Sequence, residues 1–214
     1  MKPAAALLVM VWLAASAAAQ TGAVPADAQP KAESGTKRTL TFLAGVGAGF
    51  GLHEAGHVLT SALFGAEPRV RGVEPRPVPF FAIVHDPVSR RQEFVISSSG
   101  FWVQHATSEW ILSARPKIAH ERAPFLKGML AFNLGTSTIY GIAAFARSGP
   151  PERDTRGIAV SLGREGIPEP MVGLLVIAPA VLDGYRYLRP ESTWAKWTSR
   201  AIKIAGVALI AAAR

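Results

Sequence analysis

Residues 51–59 read GLHEAGHVL, with TLTFLAGVGAGF before them and VLTSALF after. His53, Glu54 and His57 therefore stand inside a run, residues 40–64, that is otherwise apolar and rich in glycine. At about 1.5 Å per residue such a run is long enough to cross a bilayer as one helix. A charge near the bilayer centre costs roughly 3 kcal/mol on insertion scales, so ionisable groups placed there need a compensating partner. On a helix the two histidines, four apart, project from one face and can share a tetrahedral metal. Glu54, next to the first histidine, is placed to take a proton from a metal-activated water. Zinc suits two imidazoles and a carboxylate with one open position, which predicts zinc as cofactor and a third ligand from elsewhere in the chain.

Composition supports a membrane setting. Of 214 residues, 49% are hydrophobic and 18% charged, below the quarter or so usual in soluble domains. The chain contains no cysteine, which excludes thiolate metal sites, disulfides and a cysteine nucleophile. The net charge of +8 does not form one basic stripe interleaved with aromatics. Its arginines fall between apolar stretches, as in Arg69, Arg71, Arg90 and Arg91, then Arg115 and Arg122, then Arg147, Arg153 and Arg156. That pattern suits anchoring at a lipid bilayer and argues against a nucleic-acid partner.

Residues 1–19 have the layout of a secretory signal, the alternative being an uncleaved N-terminal helix, and residues 20–38 read as a disordered linker. Residues 39–214 then form one membrane-embedded domain. After the first span, the Pro-broken basic region carries apolar runs at 78–84 and 94–96 that suggest short strands or a hairpin. Residues 94–113 read as a second apolar helix whose Gln104, His105 and Glu109 must face protein or water. Residues 128–146 are a cleaner span containing Asn133. A polar loop follows at 147–170, then MVGLLVIAPAVLDGYRYL at 171–188. The final AIKIAGVALIAAAR is either interfacial or a short span. Gly45 and Gly49, and also Gly47 and Gly51, offer small faces to a neighbouring helix. The expected architecture is an all-α membrane helix bundle of about four spans, with a small β-hairpin element after the first.

For the third ligand, Asp183 in VLDGYRY is favoured; its alternative is a helix-end carboxylate paired with Arg186. Asp154 in RDTRG reads as a solvated loop residue. His105 and Glu109 either line the cavity or form a polar packing face, and His85 and His120 read as exposed.

HEAGH in an apolar helix, the strand-like basic segment after it, SSSGF at 97–101 and the late LDG at 182–184 together resemble the site-2 protease family of intramembrane zinc metalloproteases. The resemblance covers about residues 40–188. It implies zinc held by His53, His57 and Asp183, with Glu54 activating water to cleave a membrane protein or peptide substrate. It also implies an integral membrane location, the bacterial inner membrane, with a separate regulatory protein as a further possible partner. Asn133 either supports the transition state or makes a helix–helix hydrogen bond. The alternative to a protease is a catalytically inactive relative that binds metal or a partner. If residues 94–113 and 128–146 both span, the helices carrying HEAGH and LDG run antiparallel, and their ligands differ in depth by roughly 10 Å.

Overall fold

The computed structural model describes residues 34–73, 80–163 and 168–212. The expected signal sequence at 1–19, and the expected linker up to residue 33, lie outside the described residues. Six α-helices and one two-stranded antiparallel sheet make up the described chain.

Helix α1 spans Gly35–Leu63, five residues earlier than the apolar run, because Ser34 caps it: its side chain accepts from the Lys37 N–H. The last part of the expected linker is thus helical. Gly65, at φ 68°, turns the chain out of the helix. Strands β1 (Arg69–Val73) and β2 (Phe80–Val84) form the hairpin, with Arg69 opposite Val84 and Val73 opposite Phe80. The run at 94–96 is not a strand. It lies inside helix α2 (Arg90–Ala114), which starts early because Ser89 and Gln92 close a capping box just past Pro87.

Helix α3 (Pro124–Ala146) begins with proline at its first position. The expected loop at 147–170 contains a two-turn helix, α4 (Asp154–Ser161). Helices α5 (Glu169–Leu188) and α6 (Thr193–Ala212) complete the bundle. Among the described residues, α3 and α5 are long and apolar enough to cross a membrane.

Helix α3 occupies the centre, with α1 on one side and α5 on the other, α2 against α1, α6 against α5, and α4 tucked beside α2 and α5. Backbones come close at two crossings. A Cβ on Gly45 would lie 2.0 Å from the Phe125 carbonyl oxygen, and one on Gly128 would lie 2.0 Å from that of Phe42. Gly141 and Gly173 serve the α3–α5 crossing in the same way, a Cβ on Gly173 falling 2.8 Å from Ala144 Cβ. Gly45 and Gly49 therefore do face a neighbour, whereas Gly47 and Gly51 have nothing within 4 Å. His57 lies opposite Ile96 and His53 opposite Gly100, so α1 and α2 run antiparallel. The same reading along α3 and α5 makes α1 and α5 antiparallel as well, since Gly141 meets Ile177 and Leu134 meets Gly184.

Candidate metal centre

Helical spacing brings His53 and His57 together on the buried face of α1, at 3% and 5% exposure. Their rings meet edge to face, with the two Nε2 atoms 3.2 Å apart. The Nδ1–H of His57 donates to the Ile96 carbonyl at 2.9 Å, which fixes the ring and leaves Nε2 as its ligating nitrogen. Ser99, whose hydroxyl donates to the same carbonyl, also lies beside this imidazole and receives a hydrogen bond from Thr60. His53 is held by packing instead. Phe101, Phe132 and Tyr140 surround its ring at centroid distances of 5.6, 6.4 and 6.3 Å, and its Nδ1 is buried with no partner among the described residues.

The carboxylate that reaches these rings belongs to Asp154. Its Oδ2 lies 3.2 Å from His53 Nε2 and 3.4 Å from His57 Nε2. Among the described residues, His53, His57 and Asp154 form the group able to hold a metal ion. The three ligand atoms make a nearly equilateral triangle. Tetrahedral zinc with bonds of about 2.05 Å separates its ligands by about 3.3 Å, so the donor set and its spacing fit zinc.

Asp154 was expected to be a solvated loop residue. It is instead the first residue of α4, with a side chain 16% exposed. Burial opposes its charge, but His57 and His53 outweigh burial through their fields and hydrogen bonds, and the carboxyl is held below the usual carboxylate range. Both of its neighbours are clamped to the start of α5. Arg153 grips Glu169 with two hydrogen bonds, at 2.6 and 2.7 Å, and Thr155 donates to the same carboxylate at 3.1 Å.

The SSSG stretch lets the ligand helices converge. A Cβ on Gly100 would stand 2.5 Å from His53 Cε1 and 2.6 Å from His57 Nε2. A Cβ on Gly157 of α4 would stand 2.2 Å from Ser97 Oγ. Small side chains on one face of α2 thus admit α1 and α4 together.

Glu54 opens onto a cleft of about 40 Å³ that it shares with His57, Asp154 and Tyr140. Phe81, Ala82 and Ile83 of β2 form one wall, and Pro150, Glu152 and Arg153 form the other. Arg71 of β1 pairs with Glu152 at 2.6 Å, linking the two walls.

Asp183 does not join the histidines. It is fully buried and accepts from Ser199 at 2.7 Å, Lys203 at 2.7 Å and Arg186 at 3.0 Å. Its physical problem is position along the bundle. Gly100 of α2 touches the histidines, while Glu109 of α2 shares Arg186 and Lys203 with Asp183; nine residues of helix separate them, about 13 Å. Glu109 belongs to this ion cluster together with Arg200, 2.7 Å away. His105 is buried against the Trp102 ring, away from the metal group. Asn133 donates to the Gln104 carbonyl and to Ser108 Oγ, so it is a helix–helix tie between α3 and α2. His85, expected to be exposed, is largely covered and lies 3.4 Å from Glu93.

Sequence reasoning missed Asp154, Glu169 and Tyr140 as parts of one site. The signal for Asp154 was its place between Arg153 and Thr155 at the head of GIAVS, a short apolar turn hidden among loop residues. No protein family, curated protein or solved structure matches this chain.

Proposed function

We propose that this protein is a zinc metallopeptidase that hydrolyses peptide bonds of a membrane-associated protein substrate, with zinc held by His53, His57 and Asp154 and with Glu54 as general base. The observation that carries this reading is the triangle of ligand atoms with 3.2 to 3.4 Å edges beside a glutamate-lined cleft. Zinc at such a site supplies Lewis-acid polarisation and makes water nucleophilic near neutral pH. Glu54 takes a proton from the water as its oxygen bonds to the scissile carbonyl carbon. The same carboxyl then returns the proton to the amide nitrogen as the C–N bond breaks.

The strand β2 beside the cleft supports an extended substrate, since edge pairing holds a peptide with its carbonyls accessible. Two helices of membrane-spanning length support a bilayer setting, and a bacterial inner membrane agrees with the basic residues between the apolar stretches. HEAGH in this setting is what favours the site-2 protease family. The proposed ligand set departs from that resemblance in taking Asp154 where the family pattern would take Asp183.

A second reading, a metal-binding protein without hydrolysis, is favoured by the small volume of the cleft, which as it stands cannot hold a peptide. One experiment separates the two. Metal content is measured by mass spectrometry on detergent-purified wild type, His57→Ala, Asp154→Asn and Asp183→Asn, and the Glu54→Gln variant is used to trap substrate. Stoichiometric zinc lost in the first two variants and kept in Asp183→Asn supports the centre. A substrate that accumulates uncleaved with Glu54→Gln supports hydrolysis, and an unchanged substrate pool supports the second reading. Wild type without zinc after reloading overturns both.

A further inference from the structure

An amide carbonyl attacked in this cleft develops negative charge on its oxygen, and a peptidase gains most when a fixed donor waits there. The side chains lining the cleft leave few donors free for that task. All three nitrogens of the Arg153 guanidinium are engaged, with Glu169 and with the carbonyls of Gly149 and Pro150. The Nδ1–H of His57 is committed to Ile96. Glu54, Glu152 and Asp154 are acceptors. The other cleft-lining donor side chain is Tyr140 of α3, whose hydroxyl has no hydrogen-bond partner among the described residues.

The Tyr140 ring is well fixed. It packs edge to face on Phe101 at 5.3 Å and stands 6.3 Å from the His53 ring, so it shares the same aromatic wall as a proposed metal ligand. Asn133, which the sequence left open for this role, is bound to α2 by both of its contacts. Resting on the peptidase reading above, we infer that Tyr140 is a catalytic residue whose hydroxyl donates a hydrogen bond to the oxyanion formed at the scissile carbonyl. The bond strengthens as charge builds on that oxygen and is released when the C–N bond breaks; no proton leaves the tyrosine.

The test compares zinc-loaded, full-length wild type with Tyr140→Phe, which preserves ring packing. Two zinc-directed probes are titrated by calorimetry. N-phosphoryl-leucinamide carries a tetrahedral oxyanion, and the leucine-derived thiol binds through sulfur without one. Zinc stoichiometry is measured alongside, with kcat and KM on any peptide the wild type cleaves. The expected result is phosphoryl-leucinamide binding weakened on the order of 10- to 100-fold with thiol affinity and zinc unchanged. On a cleaved peptide, kcat falls on the order of 100-fold with KM little altered. Equal weakening of both probes, or weakening of neither, overturns the oxyanion role while leaving the peptidase reading intact. Wild type that holds zinc and binds neither probe overturns the cleft as a substrate site, and the role of Tyr140 with it.

Discussion

Asp154 and Asp183 are both carboxylates near arginine in the second half of the chain, and what separates them is what else reaches each one. Asp183 meets two cations and a hydroxyl, whereas Asp154 meets two imidazoles with their ligating nitrogens turned toward it. Replacing Asp154 by Asn should therefore abolish stoichiometric zinc while helix content by circular dichroism stays unchanged. Glu169 acts one step further out, through the clamp on Arg153 and Thr155. Glu169→Gln should weaken zinc binding roughly 10- to 100-fold, the range seen when a ligand loses its support, in a competition titration with a chelator. Local spacing made His53, Glu54 and His57 legible, because i and i+4 on a helix meet whatever the rest of the chain does. Asp154 was not legible in the same way, since its role depends on where α4 is carried by α3 and α5.

Among the elements, α2 has the least ordinary task. Its SSSG face must accept α1 from one direction and α4 from another, and only small side chains leave room. Adding a methyl at Gly100 puts an atom 2.5 to 2.7 Å from ring atoms of both imidazoles, and packing at interior density has no slack to absorb it. Gly100→Ala should displace the histidines and lower zinc occupancy, while the same change at Gly51, inside the same helix as the histidines but with nothing within 4 Å, should leave occupancy unchanged and not lower the melting temperature. The existence of α1, α2, α3 and α5 could be read from apolar runs, but their starts could not. Ser34 and Ser89 caps and the Pro124 start each extended a helix several residues past its apolar stretch. Helix α4 stayed hidden because eight residues flanked by Gly and Pro carry little periodicity.

At the level of the whole molecule, the cluster of Glu109, Asp183, Arg186, Arg200 and Lys203 joins α2, α5 and α6 at the end away from the histidines. Truncating one member of a buried ion cluster leaves its partners uncompensated, typically at a cost of about 3 kcal/mol or more. Asp183→Ala should accordingly lower the melting temperature by several degrees, while the protein that remains folded holds as much zinc as wild type. Loss of zinc without loss of stability would return Asp183 to the metal.

The distance along the chain between the two halves of the metal centre also sets a clock. Asp154 follows His53 by 101 residues. At translation rates of about 5 to 20 residues per second, HEAGH is made roughly 5 to 20 seconds before the carboxylate that completes it. During that interval α2 and α3 are made, and the clamp for Asp154 waits on Glu169, later still. A nascent chain therefore carries Glu54 and its two histidines for that time without their carboxylate partner, and the three residues able to hold a metal stand together only once α4 is seated.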